Sequence, residues 1–281
     1  MKSKSIALAA ALASALAIPA SAGATTTLIG SGSTAAQPYF QALFQAYKKV
    51  KPNITFLYTA DGGNAGVKDV QSGKSQFAGQ SRAPLPSDAG TTYDELFLDA
   101  LCIDVNPKNK LSAIGIPALG DIFEGTETNW GQVAGSGLST TIDAYGRNST
   151  AGTFTFFQSA VLNGASQGTN VTTLGSDGLV ANAVKQDANG IGYIGLAYQG
   201  AGLKTLEVNG VACNAADVKK KTYPLYRYIW MVLPASNPNP NVVAFVKWVR
   251  TSVAAGEVIA AKGGVAAFNA SPPKPKAKKK R

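Results

Sequence analysis

Histidine is absent from the 281 residues, cysteine occurs only twice and charged side chains make up only 15%. Without histidine there is no Ser-His-Asp triad, no Cys-His pair and no His-ligated metal. Two thiols alone build neither a zinc nor an iron–sulfur site. No paired carboxylates sit in a glycine-rich loop, and no cluster has metal-ligand spacing. The chain therefore reads as neither an enzyme nor the holder of a cofactor. Long apolar runs are missing too: Ile6 to Ile18 is too short to span a bilayer.

What is present is an ordinary apolar fraction of 45% and 30 glycines, which suit tight turns and close backbone approaches. The net charge of +10 misleads, because eight of the 26 basic residues lie at the two ends, where there is no Asp or Glu. The body carries 18 basic against 16 acidic residues. It shows no basic stripe interleaved with aromatics, so nucleic acid is not an expected partner.

Residues 1–22, MKSKSIALAAALASALAIPASA, read as a signal peptide: a basic start at Lys2 and Lys4, an apolar stretch, and the small cleavage site Ala20-Ser21-Ala22. The expected mature chain starts at Gly23 and works in the periplasm, outside the cell or in the envelope. No cysteine follows the apolar stretch, so a lipoprotein is not expected. Export permits a disulfide, for which Cys102 and Cys213 are the candidates; the alternative is two buried free thiols. Residues 271–281, SPPKPKAKKKR, are disordered by composition. Such a charge run is ordinarily a solvated terminus; the other reading is a tether to anionic envelope material.

Between the ends, strand and helix signals alternate, which implies an α/β protein without internal repeats. Thr26 to Ile29 reads as a strand. Tyr39, Phe40, Leu43, Phe44, Tyr47 and Val50 form a helical stripe behind Pro38. Ile54 to Tyr58, Phe77 to Gly79, Leu101 to Val105, Thr140 to Tyr145, Gly190 to Gly195 and Tyr226 to Leu233 read as strands. Ala65 to Gln71, Phe154 to Leu162 and the Val242, Phe245, Val246, Val249 stripe read as helices.

Three loops share one design, a strand followed by a small polar glycine loop and a helix start: Gly32-Ser33-Thr34-Ala35, Gly62-Gly63-Asn64-Ala65 and Ala151-Gly152-Thr153. Helix starts present unpaired N–H groups and partial positive charge, hydroxyls add donors, and glycine admits a ligand to the backbone. One such loop is usually a plain helix cap. Three of them, with Arg82 and Arg147 beside two, point to an oxyanion.

In these residues the chain resembles the periplasmic-type phosphate-binding (PstS-like) proteins of ABC phosphate importers, over most of residues 26–265. The resemblance rests on Gly32-Ser33-Thr34 with Pro38, Gly62-Gly63-Asn64-Ala65-Gly66-Val67-Lys68, Gly79-Gln80-Ser81-Arg82-Ala83-Pro84-Leu85, and Ile122-Phe123-Glu124-Gly125 before Asn129-Trp130. Arg147 with Gly152-Thr153, Gly190-Ile191-Gly192-Tyr193 and Tyr223-Pro224-Leu225-Tyr226-Arg227 complete it. It implies a two-lobed, type II periplasmic-binding-protein fold with a ligand cleft between lobes: residues 25–101 with 223–270, and residues 102–222. Both cysteines then fall in the second lobe. It further implies a monomer that binds inorganic phosphate and delivers it to a membrane permease, without catalysis. The rival reading is an envelope adhesion or scaffold protein of the same fold with altered anion binding.

The ligand set implied by the resemblance is Ser33, Thr34 and the Ala35 N–H from the first loop, Gly63 and Asn64 from the second, and Ser81 or Arg82. Arg147, Gly152 and Thr153 face them from the second lobe. Arg82 stands where some members carry an Asp that accepts the proton of hydrogen phosphate, and Ala151 stands where the family has Ser. Ser149 or Thr150 are candidates to replace that hydroxyl. Asp61 is either a substitute acceptor or a turn residue. With no carboxylate facing the ligand, poorer discrimination against sulfate or arsenate is expected. Charge-assisted hydrogen bonds contribute about 1.5–3 kcal/mol each, so a handful reaches the roughly 8 kcal/mol of micromolar binding.

Overall fold

A computed structural model describes residues 24–268; the expected leader and the basic run 271–281 lie outside the described residues. The chain runs β1 (Thr26–Gly32), α1 (Gln37–Val50), β2 (Ile54–Thr59), α2 (Gly63–Gln71), β3 (Phe77–Gln80), β4 (Thr91–Val105), β5 (Ala113–Ile114), α3 (Ile116–Glu124) and β6 (Asp143–Arg147). It continues α4 (Gly152–Ala160), β7 (Val171–Leu174), α5 (Asp177–Gln186), β8 (Gly190–Gly195), β9 (Lys204–Val208), α6 (Ala215–Lys220), β10 (Tyr226–Pro234), α7 (Pro240–Thr251) and α8 (Val253–Ala261).

The strands order as β2-β1-β3-β10-β4-β8-β6-β7, with β9 paired to β4 and β5 to β9. β4 belongs to both lobes. Its first part pairs antiparallel with β10, from Thr91 opposite Pro234 to Ala100 opposite Tyr226. Its last five residues pair with β8, from Leu101 opposite Gly195 to Val105 opposite Ile191. One 15-residue strand thus carries the chain from one lobe into the next. The sequence signal covers only its last five residues, because Asp94, Glu95 and Asp99 interrupt the apolar pattern of the first ten.

Each lobe closes on its own core. In the first, α1 turns Tyr39, Phe40, Leu43, Phe44 and Tyr47 inward. Val50, the last position of the expected stripe, is 52% exposed because the helix ends there. Phe44 stacks on Phe56 at 4.1 Å, and α7 adds Phe245 to the cluster. In the second, Phe157 of α4 stacks on Tyr193 of β8 at 4.1 Å, with Phe123 against both. Burying such rings contributes about 2–3 kcal/mol each.

Cys102 on β4 is joined to Cys213, just ahead of α6, across 111 residues of chain. Closing a loop of that length removes denatured-state entropy. Replacing both with alanine is expected to lower unfolding free energy by about 2–5 kcal/mol in urea titrations.

Asp104 is buried on β4 and accepts from Gln199 Nε2 and Thr205 Oγ1, both at 2.8 Å. Burial raises its pKa to about 6. The native state therefore holds this proton to higher pH than the unfolded chain, and stability falls as pH rises from about 4 through about 6. Relative to wild type, Asp104→Asn should gain about 2–3 kcal/mol between pH 4 and pH 7 in urea unfolding.

Candidate functional site

β1, β2 and β3 are parallel, as are β6, β7 and β8, so the ends that follow β1, β2 and β6 feed α1, α2 and α4. Ligands of open α/β sheets bind outside such carboxyl ends. None of these three helices has a side-chain cap, whereas Ser176, Asn214 and Asn239 cap α5, α6 and α7. The Ser33 hydroxyl accepts from the Ala36 N–H at 3.3 Å and shapes the turn into α1. Among the described residues the Thr34 and Ala35 amides find no acceptor, although both residues are buried.

The start of α1 meets the end of β6 and the start of α5 across the lobes. Thr34 Oγ1 accepts from Arg147 Nη1 at 2.8 Å and donates to Asp177 Oδ2 at 2.7 Å. Arg147 and Asp177 form a fully buried ion pair. Arg147 is further held by the Leu174 and Gly175 carbonyls, and Asp177 Oδ1 accepts from the Gly195 N–H at 3.0 Å. Tyr198 donates to the Thr34 carbonyl at 2.7 Å. Ser81 Oγ lies 3.3 Å from Thr153 Oγ1, which accepts from Arg227 Nη1 at 3.2 Å. Arg227 reaches from β10 and is paired with Asp99 at 2.9 Å. Asp99 also accepts from Tyr39 at 2.9 Å. Burial pushes the Asp99 carboxyl up, against the pull of Arg227.

Two glycines are demanded by this approach. Gly62 has φ +113°, and a Cβ there would stand 2.4 Å from the Thr150 carbonyl of the other lobe. A Cβ on Gly152 would stand 1.7 Å from Gln80 Oε1. The buried Gln80 carboxamide lies between Gly63 and Gly152, and its Oε1 accepts from the Ser81 N–H at 2.8 Å. The site is therefore an oxyanion-type assembly: amides at helix starts, hydroxyls and buried guanidiniums.

The family model for the PBP superfamily domain matches residues 18–252. The chain belongs to the PBP superfamily. It is 30% identical to Protein SphX of Synechococcus elongatus over 240 residues, 77% of this chain and 71% of that one. It is 25% identical to the phosphate-binding protein PstS of Pseudomonas aeruginosa over 248 residues, 78% of this chain and 76% of that one. Among solved structures, a substrate-binding protein of Clostridium perfringens with bound phosphate superposes with TM-score 0.81 at 24% identity, covering 85% of this chain and 99% of that one. An ABC-type phosphate transport receptor from Vibrio cholerae gives 0.70 at 22%, again over 85% and 99%. The fold is the two-lobed one of periplasmic binding proteins.

Within this PBP-superfamily chain, Thr34, Ala35, Gly63, Ser81, Arg147, Gly152 and Thr153 border the contact between the lobes, while Ser33 bonds Ala36, Tyr58 and Gly79 within its own lobe. Two of the expected residues also make contacts of their own. Asn64 is used up as a tie between lobes. Its N–H donates to the Thr150 carbonyl at 2.9 Å, and its Nδ2 to the Ser149 carbonyl and Thr155 Oγ1, both at 2.9 Å. Its Oδ1 accepts from Gln80 and Arg82. Arg82 turns to Asp88, with contacts of 2.6 and 3.0 Å, and stands behind Asn64. Burial works against the Asp88 charge, yet Arg82, Tyr93 and the Leu85 N–H hold its carboxyl below the usual range. Neither candidate for the missing hydroxyl of Ala151 replaces it: Thr150 donates to Asn148 at 2.6 Å, and Ser149 is exposed. Asp61 accepts from the Gly32 N–H at 3.0 Å, a turn contact.

Gln80, Asp99, Asp177 and Arg227 were not among the expected ligands. Arg227 carried a signal, since it ends a motif of the resemblance; Asp99 and Asp177 carried none, because each partner lies in a distant part of the chain.

Asn64→Ala removes the side-chain ties and should shift the ligand-free chain toward an open form by about 1–3 kcal/mol. Small-angle X-ray scattering should show a larger radius of gyration than wild type.

Proposed function

We propose that the chain binds inorganic phosphate between its lobes, outside the cytoplasm, and delivers it to the membrane permease of an ABC importer. The observation that carries this reading is the uncapped start of α1, whose buried Thr34 and Ala35 amides find no acceptor among the described residues, meeting the buried Arg147 of the other lobe. Orphan amides at helix starts and a fixed guanidinium fork are the groups a tetrahedral oxyanion needs. The P. aeruginosa relative named as a phosphate-binding protein and the C. perfringens structure with bound phosphate support the choice of anion.

The lobes are taken as residues 25–101 with 223–270, and residues 102–222, moving about β4 and the return into β10. The leader and the disulfide fit export. The protein acts by binding alone, as a monomer. Arg82 is neutralised by Asp88 and stands back from the lobe contact, so it adds no net charge in place of the carboxylate carried by some relatives.

Isothermal titration of residues 23–281, unfolded and refolded to strip carried-over ligand, tests this with phosphate, arsenate and sulfate. Phosphate should bind with Kd of about 1 μM or tighter. Gly152→Val, which drives a side chain into Gln80, should weaken it at least tenfold, and a chromogenic phosphate ester should not be turned over. No heat from the folded protein with any oxyanion would overturn the proposal.

A further inference from the structure

Arg147 accounts for one guanidinium between the lobes; a second is buried there with part of its hydrogen-bonding capacity unspent. Arg227 is 3% exposed. Its Nε donates to Asp99 Oδ2 at 3.0 Å and its Nη1 to Thr153 Oγ1 at 3.2 Å. Its Nη2 lies 2.9 Å from the same Asp99 oxygen, yet has no hydrogen-bond partner. The ion pair with Asp99 balances its charge, but its N–H groups have no aligned acceptor and are left to donate to a ligand.

The position of Nη2 is bracketed by its neighbours. A Cβ built on Gly195 would stand 3.2 Å from Nη2 and 3.3 Å from the Ala35 Cβ, so Nη2 sits beside the start of α1. Nη1 meanwhile rests on Thr153, in the first turn of α4. The outer edge of the guanidinium therefore bridges the two uncapped helix starts. Thr153 Oγ1 accepts from Nη1, so its hydroxyl proton is available to Ser81 Oγ at 3.3 Å or to a ligand. Asp99 and Tyr39 hold Arg227 from one side, and Phe156 lies 5.7 Å from its carbon on another, so the fork is fixed before any ligand arrives.

We propose that Arg227 is a direct oxyanion ligand, its Nη2 donating to the bound anion opposite Arg147. This rests on the phosphate reading above and adds a contact to it.

The test uses the refolded protein and inorganic phosphate. In isothermal titration, Arg227→Gln combined with Asp99→Asn, which leaves no unpaired buried carboxylate, should weaken binding by at least about fiftyfold, as loss of charge-assisted hydrogen bonds implies. In wild-type protein labelled with 15N-arginine, phosphate should shift the Arg227 Nη resonances, while Nε, locked to Asp99, stays. The NMR arm needs no altered fold, so it decides the matter even where the double variant does not fold. Phosphate binding by wild type with affinity within threefold in a folded double variant, or with unmoved Nη signals, overturns this proposal alone. No phosphate binding by wild type overturns the reading above and this one with it.

Discussion

The contact between the lobes is governed by the need to match every charge it buries. Arg147 with Asp177 and Arg227 with Asp99 are each nearly inaccessible to water, as is Arg82 with Asp88 just behind the contact. Such pairs repay their desolvation only when geometry and extra hydrogen bonds are good, and removing one partner costs about 3–5 kcal/mol. Here the extra bonds come from Thr34, Tyr39, Gly195, the Leu174 and Gly175 carbonyls, Tyr93 and the Leu85 amide. The matched pairs leave the site electrically balanced, so the attraction for an anion comes from directed N–H and O–H groups more than from surplus charge.

This balance explains why closure and ligand recognition share residues. Thr34 belongs to the first lobe, and its hydroxyl is bonded to both members of an ion pair of the second. Asn64 and Thr153 likewise reach across. The lobes meet through polar groups at helix starts, while the aromatic cores stay within each lobe. Polar contacts of that kind exchange for water at modest net cost, about 0.5–1.5 kcal/mol per hydrogen bond. That suits a surface that opens and closes.

Much of the frame was legible because its signals are local. The α1 stripe, Pro38 and the three glycine loops each lie within one short window, and the α/β class follows from their alternation. The first ten residues of β4 were not legible, since Asp99 makes sense only with Arg227, 128 residues away. The same holds for Asp177, whose partners Arg147 and Thr34 come from two other segments. Asn64 and Arg82 sit in loops of the expected kind and bond each other, and Asp88, six residues beyond Arg82, holds its guanidinium. A loop motif fixes where a backbone turns; which way a long side chain points depends on a partner outside the motif.

The continuity of β4 sets the mechanical character of the molecule. Its ladder to β10 ends at Ala100 and its ladder to β8 begins at Leu101, with no unpaired residue between. A strand whose two ladders abut resists bending within the sheet but tolerates changes in twist. Under the proposed division, opening is a torsion along β4 and the return into β10 that leaves the ladders of β4 intact, on the timescale of collective domain motion.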